Sequence, residues 1–287
     1  MSDEVFTLTV PPAGLQSCAV FSSPHSGSDY APGFLAASAL TPLQLRSSED
    51  AFVDELYAAA PACGAPLLAA RVPRACIDLN RASDDLDPAL IAGTSRRFLN
   101  ARVAAGLGVI PRVVGEGRPI MVGKLTLAEA QRRIATCWHP YHERLRALLA
   151  AARAAFGAAV LFDCHSMPHD ALNAAPLVRG RRPDVVLGDR FGVACDPAVI
   201  DAAAEAFAGQ GFCVARNAPF AGGYITQTYG RPQAGIHALQ IEIDRALYMD
   251  EPRVERRPDL PEVAARLSRV VADLAAVAPR AKPMAAE

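Results

Sequence analysis

The stretch Val160-Leu161-Phe162-Asp163-Cys164-His165-Ser166-Met167-Pro168 constrains this chain more than any other. A short apolar run reads as a buried strand, and here it ends in polar groups just before a proline. In open α/β sheets, chemistry collects past the carboxyl ends of strands, where side chains leave the packed sheet and meet a crevice. His165 is therefore expected at such an end, beside Asp163 and Ser166. Two other segments repeat the design. Residues 18–27 form an apolar run that ends in His25, and Leu239-Gln240-Ile241-Glu242-Ile243-Asp244 alternates like a strand and carries a carboxylate.

Around these segments the chain alternates between the two periodicities. Strands are expected over 18–23, 66–72, 158–163, 184–188, 212–216 and 237–243, with a turn then a strand over 106–113. Helices are expected over 49–60, capped by Ser47 or Ser48, and over 94–105, 197–208 and 260–277. The longest helix, 127–156, opens on a capping box of Thr126 and Glu129 and is expected to kink or break at Pro140. Strands alternating with helices predict one α/β domain over 1–287. Its expected form is a three-layer α/β/α sandwich around a mixed, largely parallel sheet, with a disordered tail from about 279.

The formal net charge of −1 gives no electrostatic case for nucleic acid or a polybasic membrane contact. No apolar stretch approaches the ~20 residues that span a bilayer. Seven cysteines without a C-x-x-C pair argue against a disulfide framework or a thiolate zinc site, and predict reduced thiols in the cytoplasm.

Two strand-end histidines on one sheet, His25 and His165, can share a metal. A catalytic zinc takes three protein ligands, commonly two histidines and a carboxylate, and keeps one position open. For the third ligand Asp50 is the first choice, with Asp54 and Asp29 as alternatives. Glu242 lies between apolar neighbours that face the other side of the strand, so its own face must meet something wet or charged. It is either a general base or the structural partner of an arginine such as Arg245. Asn80 and Arg81 offer an amide and a guanidinium fork suited to a substrate carboxylate. His139 and His142 are read as packing residues. Gly222-Gly223 lacks a dinucleotide fingerprint and suits close backbone approach to a small ligand. Cys164 is badly placed to exchange a proton with its neighbour His165.

Pro24-His25-Ser26-Gly27, Asp78-Leu79-Asn80-Arg81, Asp163-Cys164-His165-Ser166-Met167-Pro168, and Gly222-Gly223-Tyr224 through Gln240-Ile241-Glu242-Ile243 resemble, in this order, the N-formylglutamate amidohydrolase family. The resemblance covers about residues 15–255. That family is similar to the zinc carboxypeptidase and aspartoacylase architecture, which implies zinc on His25 and His165, carboxylate binding by Asn80 and Arg81, and Glu242 as catalytic base. The related pattern puts its acidic ligand three residues after the first histidine, where this chain has Ser28; the acid must come from Asp29 or from the 49–54 segment. Ile120 to Lys124 also departs from the family's polar pattern.

The resulting expectation is an amidohydrolase with one Zn²⁺ per chain, cleaving the N-acyl amide of a small acidic amino acid. N-formyl-L-glutamate is the first choice, as in histidine degradation. Arg112 is expected to assist at the oxyanion, and Arg231 or Arg179 to take the side-chain carboxylate. Gly223 and Thr226 are expected to border the substrate. A related deacylase or carboxypeptidase-like enzyme and a non-catalytic binder on the same fold are the alternatives. The sequence does not set an oligomeric state.

Overall fold

In the computed structural model, which describes residues 5–94 and 100–279, seven strands share one sheet. They are β1 (Phe6–Thr9), β2 (Ala19–Ser23), β3 (Leu67–Ala70), β4 (Ala159–Met167), β5 (Val185–Gly188), β6 (Val214–Arg216) and β7 (Ile236–Asp244). The order is β1-β3-β2-β4-β7-β5-β6. β3, β2, β4 and β7 run parallel, β1 is antiparallel to β3, and the parallel pair β5–β6 is antiparallel to β7. The expected mixed, largely parallel α/β sheet is what forms.

Helices cover both faces, because the strands are apolar on both sides. On one face Phe21, Phe162, Cys164, Leu239 and Ile241 pack against Pro197–Gly209 and Leu260–Ala275. On the other, Val20, Leu161 and Ala238 meet Trp138, Tyr141, Leu145 and Leu149 of the long central helix. This second face turns polar toward the carboxyl edge. Asp163 and His165 follow Leu161 at the strand period of two, and Gln240 and Glu242 follow Ala238. The register sets Asp163 opposite Gln240 and His165 opposite Glu242.

Several local expectations need correction. Residues 49–60 do not form one helix. A proline-started helix, Pro42–Arg46, with a Thr41 capping box comes first, then a turn with Phe52 in the left-handed region (φ 66°), then Val53–Leu56. A residue with positive φ cannot sit inside an α-helix, so Asp50 lies on an irregular turn. No strand forms over 106–113, where only Val113 makes an isolated bridge to Pro119. β1 was not foreseen in the polar start; it is a half-exposed edge strand. β4 runs on to Met167, so His165 lies within the strand.

Pro140 causes no break. A wider π-turn, Ile134–Trp138, lies just ahead of it inside a continuous helical path, and this change of register accommodates the proline so that the chain runs on through His139–Phe156. A short helix, Tyr224–Tyr229, starts after Gly223 and was also unforeseen. The expected helix over 94–105 survives as Ala101–Ala104, with 95–99 outside the described residues. The expected tail also lies outside them from residue 280 on.

Candidate active site

Three side chains meet where β2 and β4 end. The carbonyl of His25 accepts the Asp50 backbone N–H at 2.9 Å, which pins the irregular turn against the loop after β2. Asp50 Oδ2 then lies 2.9 Å from His165 Nδ1 and 3.4 Å from His25 Nδ1. One ligand atom from each residue falls within 4.8 Å of the others, and all three side chains are buried. Of the candidate third ligands, only Asp50 joins the histidines. Asp29 pairs with Arg71 at 2.7 Å, and Asp54 lines a separate polar hollow with Glu55 and Arg256.

The far edges of both imidazoles are held by acids. His25 Nε2 lies 2.7 Å from Asp78 Oδ1, and His165 Nε2 lies 3.1 Å from Asp163 Oδ2. Protons on both Nε2 atoms leave both Nδ1 atoms as lone-pair donors facing Asp50. This carboxylate–histidine arrangement is the usual outer support of metal-ligating histidines. His25 Nδ1 is buried without a hydrogen bond. A buried orphan nitrogen aimed at a carboxylate and a second imidazole fits a metal ligand, and an N₂O donor set suits zinc.

The electrostatics agree with that fit. Burial opposes charge on Asp50, but His165, His25 and Arg245 outweigh it and hold its pKa well below the usual carboxylate range. At Asp78 burial is likewise overcome by Arg74, Arg81 and His25, and its pKa is lowered. His165 is driven the other way: burial favours the neutral ring, yet Asp163 and Asp50 raise its pKa well above the ordinary value. The pocket thus draws positive charge to the place where a dication would supply it. Glu242, beside His165 across the sheet, is pushed up to about 7 by burial. Gln240 Nε2 donates to its Oε1 at 2.8 Å. The competing reading paired Glu242 with Arg245, but that guanidinium turns to Asp50 at 2.9 Å.

These groups floor a cleft of about 750 Å³. Of the residues proposed to meet substrate, Arg81, Asn80 and Gly223 line it, and Arg74 and Arg102 line it as well. Asn80, however, is fully engaged. Its Nδ2 donates to Asp163 Oδ2 at 3.3 Å, the same oxygen that holds His165 Nε2, and its Oδ1 accepts the Ile225 N–H at 2.7 Å. Gly223 is where it is because a Cβ there would lie 2.6 Å from the Asn80 amide. His142 braces the same segment through the Leu79 carbonyl, and Trp138 Nε1 donates to the Arg81 carbonyl. His142 therefore packs and hydrogen-bonds, as expected, rather than joining the cluster.

Four expected contributors stay out of the cleft lining. Arg112 donates to Asp87 at 2.8 Å, and Arg231 donates to the Thr228 carbonyl. Arg179 sits in the exposed turn before Gly180, its φ of 50° outside the helical and strand regions. Thr226 is buried and donates to the Gly223 carbonyl, so it shapes the loop from behind. Conversely, Asp78, Asp163, Gln240 and Arg74 all touch the site without having been given a role, and Arg245 touches it through Asp50 and not through Glu242. Asp78 and Asp163 stood two residues ahead of Asn80 and His165, the same-face spacing in extended chain, and that signal could have found them.

Fold and site together place the protein among α/β proteins with a histidine–carboxylate cluster at the carboxyl ends of parallel strands. The chain belongs to the N-formylglutamate amidohydrolase family, whose model matches residues 17–249. It is 35% identical over 240 residues to an N-formylglutamate deformylase of Pseudomonas aeruginosa, covering 81% of this chain and 82% of that one. The deformylase of Pseudomonas putida is 36% identical over 212 residues, covering 70% and 71%. The crystal structure of an N-formylglutamate amidohydrolase from Ralstonia eutropha JMP134 superposes with a TM-score of 0.86 at 38% identity, covering 94% of this chain and 96% of that one.

Proposed function

We propose that this protein is a zinc-dependent amidohydrolase that cleaves N-formyl-L-glutamate to L-glutamate and formate, a step of histidine degradation, as a single domain in the cytoplasm. The observation that carries the reading is the convergence of His25, Asp50 and His165 beside Glu242 at the floor of an arginine-walled cleft. The names of the relatives support the choice of formyl group and amino acid.

His25 Nδ1, Asp50 Oδ2 and His165 Nδ1 would hold one Zn²⁺. Such an ion, when bound, polarises a carbonyl and makes water more acidic. Glu242 takes a proton from the attacking water, a task suited to a base that titrates near neutrality. The same carboxyl then gives that proton to the amine nitrogen as the C–N bond breaks. Arg112 stays out of the cleft lining, so Arg74, which lines it with its Nε on Asp78 at 3.0 Å, takes over donation to the developing oxyanion. Arg81 receives the α-carboxylate, and Arg102 receives the side-chain carboxylate in place of Arg231 or Arg179. Asn80 orients His165 and the Gly223 loop.

The test is formate release from N-formyl-L-glutamate by purified protein, alone, with a chelator, and after zinc is restored. Release lost to the chelator and regained with zinc is the expected pattern. Zinc-loaded protein that releases no formate would remove the reading. A panel of N-acyl amino acids in the same assay separates it from a related deacylase.

A further inference from the structure

Arg245 follows β7 directly. The Asp244 side chain accepts the Ala246 N–H at 3.0 Å and caps the short turn Arg245–Leu247. The chain reverses there, so the Arg245 side chain, itself buried, folds back across the carboxyl edge of the sheet. Its Nη2 donates to Asp50 Oδ1 at 2.9 Å, its Nε to Ser166 Oγ at 3.2 Å, and its Nη1 to the Ser47 carbonyl at 3.4 Å. One rigid, planar group thus ties together the turn that carries Asp50, the strand position next to His165, and the end of the strand that carries Glu242. Asp50 is left with one oxygen, Oδ2, facing both imidazole Nδ1 atoms.

We propose that Arg245 is a positioning residue that sets the coordination number of the site. By occupying Oδ1 it allows Asp50 to offer a single oxygen, which keeps the protein at three donor atoms and leaves a position open for water and substrate. A carboxylate freed from this grip can turn and chelate through both oxygens. It also loses one of the partners that offset its buried charge, and removing a partner from a buried charge is destabilising. Lysine cannot substitute, because a single ammonium does not reach three acceptors in fixed directions as the guanidinium fork does. The inference rests on the metal reading given above.

The experiment loads stripped wild type, Arg245→Lys, Arg245→Met and Ser166→Ala with Co²⁺. The visible absorbance per bound ion and the affinity, by competition with a chelator, are then measured. Four-coordinate cobalt absorbs several times more strongly than five- or six-coordinate cobalt, so the spectrum reports coordination directly and a merely structural role would not move it. Wild type is expected to give the intense spectrum. Both Arg245 variants should lose absorbance per ion and bind cobalt about 10–100-fold more weakly. Ser166→Ala, which removes one of the contacts that aim the guanidinium, should shift the same way by less.

A folded Arg245→Met protein with wild-type spectrum and affinity overturns the proposal. Where that variant does not fold, Arg245→Lys decides: it keeps the charge without the fork, and a wild-type spectrum there overturns the proposal equally. Wild type that takes up no cobalt sinks the metal reading itself, a result distinct from cobalt binding that is insensitive to position 245.

Discussion

β4 and β7 present two faces built from interleaved residues of the same strands, and the faces obey different rules. Phe162, Cys164, Leu239, Ile241 and Ile243 look toward the helices at 197–209 and 260–275 and are apolar to the last position. Asp163, His165, Gln240 and Glu242 alternate with them and are also buried, and each has a polar partner, although Asp163 Oδ1 and Gln240 Oε1 are buried without one. Buried polar groups are tolerated only when paired, so this face is held by specific contacts where the other is held by packing. The lesson is a separation of roles at a spacing of one residue: changes on the apolar face should cost stability, and changes on the polar face chemistry.

The largest expected effect is on the polar face. Glu242→Gln keeps the shape and the Gln240 contact but removes the base. The rate of formate release should fall by about 10²–10⁴-fold, with metal content unchanged. The acid limb should vanish with it. A carboxylate pushed up to about 7 loses its basic form as pH drops through that value, so wild-type kcat/KM should decline on the acid side. A dication beside it favours the charged form and moves that limb lower. Full activity in a metal-loaded Glu242→Gln protein ends the assignment.

One residue before Asp163, the other face offers the contrast. Phe162 is fully buried, with its ring centroid 5.1 Å from that of Phe21. Phe162→Ala should lower the unfolding free energy by roughly 3–5 kcal/mol in denaturant melts. At low temperature the folded fraction should keep its turnover and metal affinity. Turnover per folded molecule that drops as steeply as stability does would erase the distinction between the faces.

Asp78 lies between these extremes, since it touches a ligand and not the reacting atoms. Asp78→Asn removes the anion behind His25 and should weaken metal binding about 10–100-fold, measured by chelator competition. It also carries a pH signature. A carboxyl whose folded pKa is lowered contributes stability that is present above its ordinary value and lost as pH falls through the lowered one. Wild-type protein without metal should therefore lose stability on acidification more steeply than Asp78→Asn. Equal slopes would mean that the Arg74–Asp78–His25 contacts contribute little.

The same two-face logic explains what the sequence made legible. The period of two around Glu242 and the apolar run before His165 exposed the strands, the sheet type and the two histidines, because burial on both faces leaves a strong imprint on composition. Asp50 was harder to place, since its position depends on Phe52 adopting a positive φ, and nothing in a phenylalanine announces that. The arginines were hard to place for a different reason. A guanidinium reaches many partners, and Arg112, Arg179 and Arg231 differ from Arg74, Arg102 and Arg245 only through tertiary placement, which no local pattern encodes. Asn80 was identified as important, but its contacts with Asp163 and the Ile225 N–H were not foreseen, because an amide serves equally well to brace its neighbours or to grip a ligand.

The smallest expected effect tests the mouth of the cleft against its floor. Arg102 lines the cleft from an exposed position on Ala101–Ala104 and forms no ion pair among the described residues. Burial lowers the pKa of Arg81, and the like charges of Arg74 and then Arg102 add to that shift. Two cations on one wall, with Arg81 tied to the Leu107 and Asn80 carbonyls and Arg102 exposed, suit a substrate that carries two carboxylates. An exposed ion pair contributes up to about 1 kcal/mol, so Arg102→Gln should raise KM for N-formyl-L-glutamate about fivefold with kcat nearly unchanged. KM for N-formyl-L-glutamine, which lacks the second charge, should not move, and neither should either KM in Arg231→Gln or Arg179→Gln. A parallel rise for both substrates in Arg102→Gln would show that the arginine supports the loop and does not read the side-chain carboxylate.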